Sequence, residues 1–144
     1  MPARDLHHDV VRRALVKDGW VITHDPFRLV WGAEAVYMDL GAELFVTAEK
    51  QGRRIGVEIK SMAGRSPITE FERALGQYLI YRAVTNRLEP DRRLYLAVPT
   101  PRYYRVIDTE LGRLVSDEYR VNYVLYNSRR EVIDRWIDST NSGP

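Results

Sequence analysis

Three residues on two extended segments of the chain could together hold a divalent cation. Glu58 and Lys60 stand two positions apart in the alternating run 54–61, and such residues emerge on the same face of a strand, about 7 Å apart. Asp39 lies on an earlier extended run, and pairing through the intervening hairpin would bring its carboxylate beside that of Glu58. These carboxylates and a backbone carbonyl, that of Ile59, form an oxygen site suited to Mg²⁺ or Mn²⁺. A lysine beside it would stabilise charge on a phosphoryl group or orient a water.

Each acidic residue in this region also has an ordinary structural interpretation. Glu58 and Lys60 could be solvated side chains, since this pair is common on strands by chance. Asp39 could cap a turn, as aspartates often do. Glu49 is interpreted as a surface acid beside a hairpin, and the role of Glu43 stays ambiguous.

Periodicity, caps and turn signals predict the elements that position these residues. We predict helices over about 5–17, 66–86 and 102–119, the last broken near Gly112, and strands over about 20–23, 27–31, 35–40, 44–48, 54–61, 93–98, 121–126 and 131–137. Ser66 and Pro67 fit the start of the second helix. Gly52 fits a hairpin turn because it takes positive φ cheaply. The strands before the second helix are expected to form an antiparallel meander.

Composition bounds the class of protein but not its activity. The chain has 144 residues, 44% of them hydrophobic, and a net charge of +2, which suits one globular domain. We assign that domain to residues 1–137 and predict a mobile tail over 138–144. The absence of cysteine excludes disulfides, thiolate metal sites and a cysteine nucleophile. No run is long and apolar enough for a membrane span, and no secretory signal is evident, so we expect a cytoplasmic protein without membrane contact.

The spacing of the candidate site residues resembles a known nuclease pattern. Asp39, the triplet Glu58-Ile59-Lys60, and Gln77 with Tyr81 are similar to the D…ExK…QxxxY pattern of PD-(D/E)XK nucleases, whose QxxxY element is typical of the RecB-related branch. Over nearly the whole chain, the sequence is similar to the XisH family of fdxN-element excision controlling factors. The stretches that carry this similarity are RDLHHDVVRRALVKDGWVITHDP, YMDLGAELFVTAEKQGRRIGVEIKS, FERALGQYLIYR and EPDRRLYLAVP.

The resemblance implies a fold and a set of roles. The fold would be α/β with a restriction-endonuclease-like core, in which helices flank a central mixed β-sheet made of an antiparallel meander plus an added strand. Asp39 and Glu58 would be metal ligands and Lys60 the catalytic lysine. Gln77 and Tyr81, one helical turn apart, would lean together toward the site, although each also suits an ordinary structural role.

The chain departs from the nuclease pattern at two places. Related nucleases often add an acid from the first helix, and this chain offers His8 or Asp9 there. The proline that gives the motif its name is replaced by Met38.

The sequence therefore supports two hypotheses about function. The first is a metal-dependent DNA-processing protein, a phosphodiesterase that acts in the control of DNA element excision, with Arg65 and Arg73 contacting DNA. The resemblance also implies a small partner protein of the XisI type. The alternative is a regulatory binding module that keeps the nuclease scaffold and has little or no cleavage activity. Exonuclease or endonuclease action and homo-oligomer formation stay open.

Overall fold

The computed structural model describes residues 4–25, 29–31, 38–40 and 45–139, with side chains for 7–25 and 46–139. Its helices are α1 Arg4–Lys17, α2 Pro67–Leu88, the short α3 Thr100–Arg102, and α4 Glu110–Glu118, and a π-helical turn, Tyr103–Ile107, follows α3. The strands are β1 Val21–His24, β2 Leu29–Trp31, β3 Met38–Leu40, β4 Phe45–Lys50, β5 Arg53–Ile59, β6 Arg92–Pro99, β7 Tyr123–Asn127 and β8 Val132–Ile137.

Six of the strands form one mixed sheet in the order β1-β4-β5-β6-β7-β8. Strand β4 is antiparallel to both of its neighbours, β1 and β5. Strands β5, β6 and β7 are parallel, and β8 returns antiparallel to β7. Parallel neighbours need a long crossover connection, and α2 supplies the one between β5 and β6. The expected α/β fold with a mixed sheet and flanking helices is confirmed.

The composition of the meander differs from the prediction. Strands β2 and β3 form a separate two-stranded antiparallel sheet, so the meander of the main sheet consists of β1, β4 and β5. Strand β1 pairs directly with β4, as in the register Ile22 with Ala48. Alternation along the chain identifies extended segments but does not specify their partners, which is why the prediction placed all of them in one sheet.

The two faces of the six-stranded sheet carry two hydrophobic cores. Helix α1 covers one face, where Val11 and Leu15 pack among the side chains of Ile55, Val57 and Ile59. Helix α2 covers the other face, and its buried residues Phe71, Ala74 and Tyr78 join Leu94, Leu96 and Val98 of β6. Glu58 alternates with this α1-facing set of β5 residues, so its side chain faces α2.

The start of α2 and the β4–β5 hairpin follow from local sequence. Ser66 precedes the helix in extended conformation, Pro67 opens it, and the Ser66 hydroxyl donates to Thr69 Oγ1 at 3.0 Å. Gln51 and Gly52 connect β4 to β5, and both have positive φ, 52° and 81°. This matches the type I′ geometry that suits the twist of two-residue hairpins.

The third predicted helix is broken earlier than expected. It divides at Asp108 and Thr109, and Gly112 lies inside α4, where it donates its N–H to the capping hydroxyl of Thr109 at 3.1 Å. The glycine is required for packing, because a Cβ at this position would lie 1.9 Å from the carbonyl oxygen of Ile107. Thr109 is therefore the helix boundary, and Gly112 allows the turn before it to approach closely.

The last described residues pack against the sheet. Asp138 accepts a hydrogen bond from Tyr95, and the N–H of Ser139 donates to Asn122 Oδ1 at 2.7 Å. The rest of the predicted tail, 140–144, lies outside the described residues. In the described part of the chain, no helix has the length and apolar character needed to cross a membrane.

Candidate functional site

Glu58 is a buried carboxylate on the α2-facing side of the sheet. It pairs with Phe45 of β4 on one side and with Leu96 of β6 on the other, and only 2% of the residue is exposed. Its position follows from the alternation of β5, which directs Ile59 to the α1 face. A charged residue is rarely buried in this way unless it is paired or coordinates a metal.

One carboxylate oxygen of Glu58 has a cationic neighbour and the other has none in the described structure. Lys60 Nζ lies 3.7 Å from Oε2, whereas Oε1 has no hydrogen-bond partner among the described residues. Burial raises the pKa of Glu58 to about 7, although the charge of Lys60 acts in the opposite direction. Lys60 follows the end of β5, where its N–H donates to the carbonyl of Ala97 at 2.9 Å. Glu58 and Lys60 therefore form an ion pair, and the other Glu58 carboxylate oxygen is unsatisfied within the described part of the molecule.

A polar cluster next to Glu58 was not anticipated from the sequence. Thr47 of β4 is fully buried and pairs with Gly56, which makes it a diagonal neighbour of Glu58 on the same face. Its hydroxyl lies 2.7 Å from that of Thr23 and 3.1 Å from Nδ1 of His24. The alternation of β4 could have placed Thr47 beside Glu58, whereas the contact with His24 depends on the pairing of β1 with β4.

Asp39 lies on strand β3, and its side chain is outside the described part of the molecule. Its backbone pairs with Val30 of β2, and among the described strands β3 belongs to a separate sheet from the β4–β5 hairpin. Strand β2 contacts α2, the helix that covers the Glu58 face. The shared carboxylate site of Asp39 and Glu58 therefore stays a prediction, as does the role of the Ile59 carbonyl.

Gln77 and Tyr81 both lie on α2 but in different environments. Gln77 is exposed, while Tyr81 is half-buried and packs against the α2-facing core. Tyr78, which follows Gln77 on the same helix, points toward the sheet and is fully buried. Packing accounts for part of the burial of Tyr81, and the expected contribution of both side chains to a metal site stays a prediction.

His8 and Asp9 form a separate cluster at the first helix. The His8 ring contacts the Asp25 carboxylate through Nε2 and lies 3.3 Å from Asp9 Oδ1 through Nδ1. Arg12 Nη1 lies 2.5 Å from the same Asp25. Helix α1 packs on the face of the sheet opposite to the Glu58 side chain, and both ring nitrogens of His8 have carboxylate neighbours. Their part in the site stays a prediction.

The remaining predicted residues lie at the surface or outside the described residues. Arg65 and Arg73 are both exposed, as a DNA-contacting role requires. Glu49 is exposed and lies 3.5 Å from Arg54, in agreement with its interpretation as a surface acid beside the hairpin. Glu43 falls outside the described residues. Among the side chains that are described, no three His, Asp or Glu residues converge as a set of metal ligands.

Comparisons with known proteins agree over nearly the whole chain. The family model described as XisH protein matches residues 1–134. The 1.60 Å crystal structure of an XisH family protein from Nostoc punctiforme PCC 73102 is 38% identical, with a TM-score of 0.85, covering 93% of this chain and 100% of that one. The 1.60 Å crystal structure of an fdxN element excision controlling factor protein from Anabaena variabilis is 40% identical, also with a TM-score of 0.85, covering 93% and 99%. Among curated proteins, none matches this chain.

Proposed function

Because the chain belongs to the XisH family, we propose that it acts in the control of DNA element excision, as a metal-dependent phosphodiesterase centred on Glu58 and Lys60. The observation that carries this proposal is the buried Glu58 carboxylate, which has one oxygen 3.7 Å from Lys60 Nζ and one oxygen without a partner in the described structure. A carboxylate in that state is costly unless it takes up a proton or a cation. The excision role is suggested by the relative from Anabaena variabilis.

The order of elements around Glu58 supports a PD-(D/E)XK assignment. Helix α1 is followed by the antiparallel strands β1, β4 and β5, then by α2 and the parallel strand β6. This is the helix, meander, helix and strand order that the resemblance implied. Glu58 and Lys60 lie at the end of the last meander strand, directly before the crossover to α2.

The residues present fit a hard divalent cation. Mg²⁺ and Mn²⁺ take carboxylate and carbonyl oxygens and retain several waters, and Glu58 Oε1 is a buried oxygen that lacks a partner among the described residues. Asp39 and the Ile59 carbonyl are the proposed further ligands. When bound, the ion would polarise the phosphodiester and lower the pKa of a water.

The protein's own side chains would then have separate roles. Glu58 holds negative charge toward the cation, and the positive charge of Lys60 favours that ionised form. The Lys60 side chain, 27% exposed, can reach a phosphoryl oxygen from the same position and stabilise the charge that develops there. Gln77 and Tyr81 would orient these groups, and Arg65 and Arg73 would contact the DNA backbone. A small protein of the XisI type is the proposed partner.

The test compares cleavage and metal binding in two variants. Wild type is incubated with single-stranded, duplex and branched DNA in Mg²⁺ or Mn²⁺, and its melting temperature is measured with and without metal. We expect Glu58→Gln to lose both cleavage and the metal-dependent rise in melting temperature, since only binding to the folded state produces that rise. Lys60→Gln should lose cleavage and keep the rise. Absence of any metal-dependent rise in wild type at millimolar Mn²⁺ would exclude the proposed ion site.

One observation favours the alternative of a regulatory binding module. The ion pair with Lys60 partly compensates the Glu58 charge without metal, and no third ligand joins them among the described side chains. In this case wild type would bind DNA without cleaving it, and Lys60→Gln would leave DNA binding unchanged. Cleavage that depends on both Glu58 and Lys60 separates the two functions.

A further inference from the structure

A basic recess lies at the end of the sheet where β5 and β6 begin. Its volume is about 450 Å³. The charged side chains that line it are five arginines and one aspartate: Arg53, Arg54, Arg82, Arg92, Arg93 and Asp91. Glu58 lies near the opposite end of β5, so the recess is distinct from the candidate metal site.

Two of the five arginines are engaged in holding the fold. Arg92 is buried, lies 2.6 Å from Glu89 through Nε, and donates through Nη1 to the carbonyl of Ile55 at 3.0 Å. Arg54 also contacts Glu89, at 3.2 Å, and lies 3.5 Å from Glu49. The charges of these two arginines are therefore largely balanced by nearby carboxylates.

The other three arginines are oriented mainly by groups without net charge. Arg82 donates to the carbonyls of Tyr119 and Arg120 at 2.7 and 2.8 Å. The exposed Arg53 guanidinium lies 5.5 Å from the centre of the Trp20 ring. Carbonyls and aromatic rings position a guanidinium and leave its charge available.

Within the described part of the chain, Arg93 is the only one of these three arginines that forms an ion pair within 4 Å. It donates to Asn122 Oδ1 at 3.3 Å, and its Nε lies 3.7 Å from Asp138 Oδ1. Both the Arg93 and Asp138 side chains are about half exposed, at 49% and 48%, so water weakens this ion pair. Three pre-positioned guanidinium groups thus contribute positive charge to one concave surface.

We propose that this recess binds a phosphate group, carried either by the DNA backbone or by a free phosphate compound. Planar guanidinium groups bind phosphate oxygens through paired hydrogen bonds, and side chains that are already positioned lose less entropy on binding. The binding requires neither Glu58 nor a metal ion, so it goes beyond the proposed phosphodiesterase activity.

The experiment removes two exposed positive charges from the recess and compares the effect on binding with the removal of two exposed positive charges elsewhere. The recess variant is Arg53→Gln with Arg93→Gln. The control is Arg129→Gln with Arg130→Gln, two exposed arginines in the β7–β8 turn, which changes the net charge equally. Affinities for inorganic pyrophosphate and for a short DNA duplex are measured by titration calorimetry in EDTA. If the double variant fails to fold, the single variants Arg93→Gln and Arg129→Gln provide a comparison that is again matched in net charge.

We expect the recess variant to lose about 10-fold or more in affinity for each probe that wild type binds, and the control to stay within about 2-fold. Binding of pyrophosphate would identify a free phosphate compound as the ligand. Binding of the duplex alone would identify the DNA backbone as the source of the phosphate. In that case the salt dependence of duplex affinity should be weaker in the recess variant than in wild type, by the equivalent of about two phosphate contacts. The proposal is overturned if wild type binds neither probe, or if the control loses as much affinity as the recess variant.

Discussion

The burial of the Glu58 carboxylate disfavours its charged form. Its carboxylate is buried, one oxygen lies near Lys60, and the other has no partner among the described residues. A single lysine at 3.7 Å does not offset the cost of burial, since the pKa of Glu58 stays raised to about 7. Perturbation of this kind in a carboxylate near a lysine is common at functional sites and follows from desolvation.

This raised pKa predicts how stability depends on pH in the metal-free protein. The folded state binds the Glu58 proton more tightly than the unfolded state, so the free energy of unfolding should fall as pH rises from about 4.5 to about 7. The full effect of one such group is about 3 kcal/mol. We expect wild type to lose up to this amount relative to Glu58→Gln between pH 5 and pH 8, measured by urea unfolding in EDTA. Parallel pH profiles for the two proteins would show that Glu58 ionises without this cost.

The glycines of two helices differ in what a side chain would meet. At Gly112 in α4 a Cβ would lie 1.9 Å from the Ile107 carbonyl oxygen. At Gly76 in α2 a Cβ would meet nothing within 4 Å among the described residues beyond the adjacent backbone of its own helix. A backbone oxygen cannot move without shifting the turn that carries it. Gly112 is thus a packing requirement, while Gly76 only adds flexibility to the unfolded chain.

Alanine substitutions at these two positions should change stability in opposite directions. We expect Gly112→Ala to lower the free energy of unfolding by about 1–3 kcal/mol or more through overpacking. Gly76→Ala should raise it by about 0.5–1 kcal/mol, because alanine favours an exposed helix position. Denaturant unfolding of both variants measures the contrast. Equal effects would mean that the Ile107 turn moves aside at little cost.

The elements that sequence predicts well here are those set by local pattern. The alternation of β5 correctly separates Ile55, Val57 and Ile59 from Glu58, because strand periodicity is a property of neighbouring residues. The direct pairing of β1 with β4, which leaves β2 and β3 in a separate sheet, was not predicted, because a short extended run fits several partners equally well. The polar contact of Thr47 with His24 depends on that long-range choice and was missed with it.

At the scale of the whole molecule, one tyrosine of α2 joins that helix to β6 and to the residue before β7. The Tyr78 hydroxyl donates to the carbonyl of Leu94 on β6 at 3.1 Å and accepts from the N–H of Asn122, next to β7, at 3.1 Å. The side chain is fully buried. This hydroxyl satisfies a backbone N–H that water could not reach.

Removing the hydroxyl should destabilise the fold as a whole. Tyr78→Phe leaves the Asn122 N–H unpaired, and we expect a loss of about 1–3 kcal/mol in the free energy of unfolding. Tyr104→Phe is the matched control, because that hydroxyl meets Arg135 at an exposed position. Its removal should change the free energy of unfolding by less than about 0.5 kcal/mol. A comparable loss in both variants would indicate that the burial of Tyr78 adds nothing to the effect.

The parallel position of β6 has a consequence for how the chain assembles. The β4–β5 and β7–β8 hairpins close across short turns, whereas β6 is separated from β5 by the whole of α2 and from β7 by α3 and α4. Closing these long loops costs conformational entropy before the hydrogen bonds and contacts of the paired strands can offset it. We therefore expect both hairpins to form early on the folding pathway, and insertion of β6 between them to limit the folding rate.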